Sequence, residues 1–300
     1  MTHQKHPSSS FPEFETLNSL KDENPCPTCG HPSSHNQPST TSIFVYAIGK
    51  IEPRFPSRSL EKEFMQIVGR METKGLTDQQ TLHKVISLRE NRYIARQLCW
   101  VFTVEGMETY LLSPRDPLDL DLLIESVRPE QSALDIDVVI GTRGPVAPPE
   151  ICNGLAIPVV IFNQLYSFDQ HSLVNSIPKS KDGDPAIFSR AANELIHRVI
   201  QLADNNGASN ANRALNYLIV RYPAVYARIT AAYSENNSLT SVNVFPSGLS
   251  NGGRVIVDVV FSFTNRTTDV VEKFFVRVDV TDEFPFLVTK LSPFFSRSVD

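Results

Sequence analysis

Cys26 and Cys29, in the stretch Cys26-Pro27-Thr28-Cys29-Gly30-His31, have the spacing of half a tetrahedral metal site. Soft thiolates held in this way select zinc, and a site closed by four protein ligands leaves no position for a substrate. The chain has 4 cysteines in 300 residues, so a four-thiolate site must also use Cys99 and Cys152. His31 and His35 are alternative ligands, although a knuckle closed by residues so near in sequence is cramped. A redox dithiol is the competing reading. Such a motif starts a helix directly after a strand, whereas this one follows a polar tail and is flanked by Pro25 and Pro32. The expectation is a structural zinc on Cys26, Cys29, Cys99 and Cys152.

Arginines beside turns form the second group. Arg54, Arg92, Arg115 and Arg143 each adjoin a turn, a proline or a glycine, with Glu52, Glu90, Asp116 and Glu150 near them in sequence. Guanidinium groups fork onto carboxylates, so structural ion pairs are one reading. The functional reading is a pocket for a peptide carboxylate, with Glu52, Arg54, Glu90, Arg92 and Arg143 as candidate peptide-binding residues. Glu194-x-x-His197 has the i, i+3 spacing of di-iron bundles, but that architecture needs a second copy, so it reads as an ordinary surface pair. The isolated His83 and His171 are read the same way. The sequence contains no dinucleotide fingerprint, P-loop, nucleophile elbow or His-Glu-x-x-His motif. Catalysis by residues scattered along the chain stays open.

With 28 basic and 33 acidic residues, the formal net charge is -5 and the charges are mixed, so nothing points to nucleic acid or an anionic membrane. The polar N-terminus lacks an apolar signal segment, and no window supplies eighteen uninterrupted apolar residues. A cytoplasmic protein with reduced thiolates, not a disulfide framework, is therefore expected.

The elements that must carry these residues follow from pattern. Residues 1-24 read as a disordered tail, 25-41 as the knuckle and linker, and 42-296 as one α+β domain. Ile43 to Gly49 reads as a strand, followed by a rigid segment from Glu52 to Pro56. Ser59 should cap a helix running to Gly69, and Thr77 and Gln80 have the spacing of a capping box. That second helix should bury Leu82, Val85, Ile86 and Leu88 and continue through Glu90-Asn91-Arg92-Tyr93. Cys99 then opens a half-buried strand, with Glu105-Gly106 as a hairpin turn. A helix is expected from Asp119 to Val127, and strands from Ile136 to Ile140 and from Ile157 to Phe162. The Pro-rich stretch between those strands, from Gly144 to Gly154, should display Cys152 on a stiff connector.

Residues 188-234 read as helical with a break at Pro223. Residues 239-292 read as an antiparallel β-meander, with Val255, Val257, Val259, Phe261 and Phe263 on one face and Phe274, Val276, Val278 and Val280 repeating the pattern. The fold class is α+β: a mixed N-terminal portion, central helices and a C-terminal meander.

Four stretches carry a family resemblance: Tyr46 to Pro56 (YAIGKIEPRFP), Arg89 to Trp100 (RENRYIARQLCW), Pro148 to Leu155 (PPEICNGL) and Glu283 to Pro293 (EFPFLVTKLSP). Together they resemble the C-terminal domain of unknown function in PatG-type cyanobactin maturation proteins, which also occurs in PatA-type partners. The resemblance implies a role in biosynthesis of ribosomally made, post-translationally modified peptides, as a non-catalytic module that binds a precursor peptide or another maturation enzyme. It implies no reaction. A peptide-tailoring enzyme using the Arg and Glu residues of the Pro-rich loops is the alternative. No nucleic-acid or membrane partner is expected, and a homodimer is possible.

Overall fold

The computed structural model describes residues 43-130, 135-169, 190, 193-196 and 204-295, all within the unit Ser39–Asp300. Cys26, Cys29, His31, His35, His171 and His197 lie outside the described residues. The order is β1 (Phe44–Arg54), α1 (Arg58–Val68), α2 (Asp78–Ser87), α3 (Arg92–Gln97), β2 (Cys99–Val104), β3 (Met107–Pro114), α4 (Leu120–Ser126), β4 (Asp135–Val146) and β5 (Pro158–Asp169). Then come α5 (Asn210–Arg221), α6 (Pro223–Ser234), β6 (Asn237–Pro246), β7 (Ile256–Asn265), β8 (Val271–Asp279) and two short strands, β9 (Phe286–Leu287) and β10 (Ser292–Pro293).

The N-terminal strands close into a barrel in the order β1-β2-β3-β5-β4, parallel between β3 and β5 and antiparallel elsewhere. Five strands closed in this way, with a helix between the third and fourth, follow the Greek-key path of OB-type barrels. Closure depends on β1 changing partner: Phe44 to Gly49 pair with β4, and Lys50 to Arg54 pair with β2. Gly49 sits at the change. A Cβ there would lie 2.2 Å from the Thr103 carbonyl oxygen and 2.9 Å from the Phe102 ring, so only glycine lets the strands approach at this corner.

Apolar side chains divide between two main cores. Val45, Ala47, Trp100, Phe102, Val139 and Phe162 pack with Leu60, Val85, Ile86, Ile94 and Leu123 of the four helices beside the barrel. Tyr46, Ile48, Ile136, Val138 and Ile140, on the opposite faces of β1 and β4, pack with Leu215, Leu218, Val225 and Ile229 of α5 and α6 and with the C-terminal sheet. Both faces of β1 are thus covered, which gives a near-continuous apolar run instead of a clean alternation.

The sheet has the order β10-β8-β7-β6, with β9 also on β8, so the antiparallel meander is observed. Val257, Val259, Phe261 and Phe263 face the core as the pattern predicts. Val255 does not: it is 39% exposed, because the strand begins one residue later. Phe275 on the outer face meets the Phe294 ring edge-on, with Arg277 over it.

Local signals were met with small shifts. Ser57, not Ser59, caps α1 by accepting a hydrogen bond from the Leu60 amide, and Thr77 and Gln80 form both bonds of the capping box. The second helix does not continue as expected. Leu88 is extended, a 3-10 turn follows at Arg89–Asn91, and α3 starts afresh at Arg92. The break at Pro223 takes the form of a new helix with proline in its first turn.

Buried polar groups join the layers. Asn216 of α5 donates to the Tyr46 carbonyl at 2.8 Å and accepts from Asn205 at 2.8 Å. The Tyr46 amide in turn donates to the Gly207 carbonyl at 2.9 Å. Arg213 of α5, fully buried, donates to the Val280 carbonyl at 2.7 Å and to the carbonyls of Asp282 and Glu283. Burial lowers its guanidinium pKa to about 10, against the opposing charges of Asp282 and Glu283.

Candidate functional site

The second half of β1, having left β4 for β2, forms a rim whose residues line two cavities. The first, of about 310 Å³, is walled by Arg54 and Phe55 at the end of β1, Val101 of β2, Glu108 of β3, and the Cys152 to Leu155 turn. The connector between β4 and β5 builds that turn through tight backbone bonds: Ile151 donates to Pro148 at 3.1 Å and Gly154 to Pro149 at 2.8 Å. Asn153 and Gly154 take φ values of 52° and 91°, as an Asn-Gly turn allows. The turn places Cys152, buried rather than displayed, against the first residue of β2.

There Cys152 is joined to Cys99 by a disulfide, with Cα atoms 5.9 Å apart. The structure brings these two predicted metal ligands together, but a sulfur bonded to another sulfur is not a thiolate. In this state the pair does not fit zinc, and the expectation of reduced thiols is corrected for these two residues. Among the described residues no group of three or more His, Cys, Asp or Glu side chains is placed to hold a metal ion. Cys99, Val101, Leu111, Ala147 and Cys152 make a small apolar cluster. All of β2 is therefore buried, where a half-buried strand was expected.

Arg54 stands on the rim. It pairs with Glu52 at 2.9 Å, the carboxylate two residues away on the same strand, and closely with Glu108 of β3, on the other side of β2. The Glu108 carboxylate first, then Glu52, raise the pKa of the Arg54 guanidinium. Glu52 also accepts from the Thr103 hydroxyl at 3.4 Å.

The second cavity, of about 550 Å³, lies along Lys50 to Pro53, with Gln79 of α2, Arg128 beyond α4, and Asp135 and Asp137 of β4. Asp137 is buried and accepts from the Ile51 amide at 2.7 Å and from the Ser167 hydroxyl at 2.5 Å. Burial pushes its carboxyl up to about 6, while those two hydrogen bonds and the Arg128 charge pull it down. Arg128 pairs with Asp135 at 2.9 Å on the same wall. The Gln79 amide nitrogen is buried without a hydrogen-bond partner among the described residues. The rim thus offers a smaller hollow of mixed polar and apolar walls, a guanidinium clamped between carboxylates, and a larger polar hollow with a carboxyl raised to about 6.

Glu90 and Arg92 are elsewhere, in a groove along α3, where Arg92 pairs with Asp121 of α4. Arg143 is separate again: exposed on β4, it lowers the pKa of the Tyr110 phenol against the burial that pushes it up to about 12. Glu194 does not stand alone, since it accepts the Tyr233 hydroxyl. The reading from sequence missed Glu108, which only the β2–β3 register brings to Arg54. It also missed Asp137, although a carboxylate inside the apolar run Ile136-Asp137-Val138-Val139-Ile140 is a signal of a buried, partnered group.

A family model described as PatG C-terminal matches residues 182–294. The chain resembles the PatG C-terminal domain. A solved structure titled "PatG Domain of Unknown Function" shares its fold at a TM-score of 0.67 and 21% identity, over 84% of this chain and 99% of that one. The structural likeness is broader than the family match, and so takes in barrel strands as well as the C-terminal sheet. A comparison with curated proteins finds no match. No helix among the described residues is long and apolar enough to cross a membrane.

Proposed function

We propose that the chain is a non-catalytic accessory module that binds a peptide during the maturation of ribosomally made, cyanobactin-like peptides. The supporting observation is the end of β1, whose residues line two hollows of about 310 and 550 Å³, Glu52 lining the larger and its ion-pair partner Arg54, with Glu108, the smaller. Hollows of this size hold a side chain or a short segment, and their mixed polar and apolar walls suit a chain segment carrying both kinds of side chain. The occupant is a precursor peptide, or a segment of another maturation enzyme. The resemblance to the PatG domain supports the pathway, and the fold alone supports no reaction.

A cytoplasmic, zinc-bearing form belongs to the same proposal with one condition. Cys99 and Cys152 would have to be reduced before joining Cys26 and Cys29, or His31 or His35 would have to replace ligands. The disulfide and a four-thiolate zinc site are thus alternative states of one pair of sulfurs. Asp137, poised near pH 6 in a cavity, favours the competing reading of a tailoring enzyme.

Titrating linear and cyclic octapeptides of mixed sequence into the protein, with Arg54→Gln as comparison, tests the site. Binding weakened about fivefold by the substitution is expected for an exposed charge contact. Intact peptide masses recorded before and after incubation should be unchanged, and a mass shift would establish the enzyme instead.

A further inference from the structure

The groove along α3 is built on a repeat that the functional reading has not used. Arg89, Arg92, Tyr93 and Arg96 follow at i, i+3, i+4 and i+7, so one face of the 3-10 turn and α3 carries three guanidinium groups and a phenol around a hollow of about 540 Å³. Two of these residues are held from behind. Arg92 pairs with Asp121 of α4, and the Tyr93 hydroxyl donates to Glu63 of α1 at 2.7 Å. Arg89 and Arg96 form no ion pair with a described residue, and both are exposed. This leaves two guanidinium groups of the groove without an ion pair among the described residues, beside Arg92 and Tyr93, which are held.

We infer that this groove docks an acidic peptide segment, its carboxylates forking onto Arg89 and Arg96. Seven residues of helix separate the two arginines by roughly 10 Å. A peptide in the polyproline II conformation, with three residues per turn and a rise of about 3.1 Å, covers that distance in three residues and keeps them on one side, so glutamates at every third position match the pair. Glu90 lines the groove, and Glu63 and Asp121 hold Tyr93 and Arg92 beside it. They would repel the dense charge of a nucleic acid or polyphosphate, whereas widely spaced carboxylates avoid them. This inference rests on the peptide-binding reading and adds the charge of the peptide and a second place of contact.

Fluorescence anisotropy on the full chain tests it. The probe is a labelled heptapeptide with glutamate at its first, fourth and seventh positions, compared with the same peptide carrying glutamine. The glutamate form should bind more tightly, and the double variant Arg89→Gln/Arg96→Gln should weaken it about threefold to tenfold, as two exposed pairs allow. Added salt should weaken it further. Equal binding by wild type and double variant would overturn the inference, as would tighter binding of an oligothymidylate or polyphosphate. If the glutamine peptide binds equally well and Arg54→Gln weakens it, this inference falls while the peptide-binding reading stands. If neither heptapeptide nor the mixed octapeptides bind, both fall.

Discussion

Removing the Cys99–Cys152 bond should destabilise the fold by a calculable amount. The cysteines are 53 residues apart, and the loop they close holds most of β2, all of β3, α4 and β4. In the chain-entropy treatment a closed loop of this length removes about 14 cal/mol/K from the unfolded ensemble, or about 4 kcal/mol at 25 °C. For a domain of this size that corresponds to a fall in Tm of about 8–16 °C. The double variant Cys99→Ala/Cys152→Ala keeps small side chains in the apolar cluster around Val101 and Leu111, so most of the loss reports the missing cross-link. The assay is thermal and urea unfolding of the wild type, the wild type under reducing agent, and the double variant. Alongside it, thiols are counted by alkylation in denaturant with a chelator. Without reductant, alkylation should reach two of the four cysteines, and with reductant all four. Four reactive thiols before reduction would refute the bond. A double variant with the wild-type Tm would refute the claim that closing this loop stabilises the chain. A zinc–thiolate site would behave differently, since the chelator alone would expose all four thiols and release the metal.

Replacing Arg213 by Met should cost about 3–5 kcal/mol, because three buried or half-buried carbonyls at the end of β8 lose their charged donor; a urea midpoint equal to the wild type would refute this. The Asp137 carboxyl has a folded-state value near 6 against an ordinary 3.8, so the folded state binds the extra proton between them. Its contribution is therefore largest below pH 4, and falls by up to about 3 kcal/mol as pH rises to 6. Asp137→Asn, which can still accept from the Ile51 amide and donate to Ser167, should remove that slope from urea midpoints at pH 4 to 7. Parallel slopes in the two proteins would count against the assignment.

What could be read in the sequence was local. Thr77 and Gln80 announce their helix because both partners of the capping box lie within four residues, and Glu105-Gly106 and Asn153-Gly154 announce their turns because few residues tolerate positive φ. The inward faces of β7 and β8 are visible because the alternation stays in register over nine or ten residues. Barrel closure was hidden: it turns on Gly49 meeting Phe102 and Thr103, more than fifty positions away. The burial of β2 was hidden for the same reason, since a connector late in the barrel covers it. For the site, the Glu52–Arg54 pair could be read because its members are two residues apart, whereas Glu108 could not. Four cysteines can be counted in a sequence, but their pairing is a property of the folded chain.

The two-faced burial of β1 and β4 bears on where the molecule can be cut. Sequence similarity to the PatG family model begins at residue 182, which suggests a natural fragment. Such a fragment would present the apolar sides of α5 and α6 to water and leave Asn216 without the Tyr46 carbonyl. The complementary barrel fragment would expose Tyr46, Ile48, Ile136, Val138 and Ile140 as one sticky surface. Neither piece should express as a stable protein, so the barrel and the layered half are to be produced as one chain.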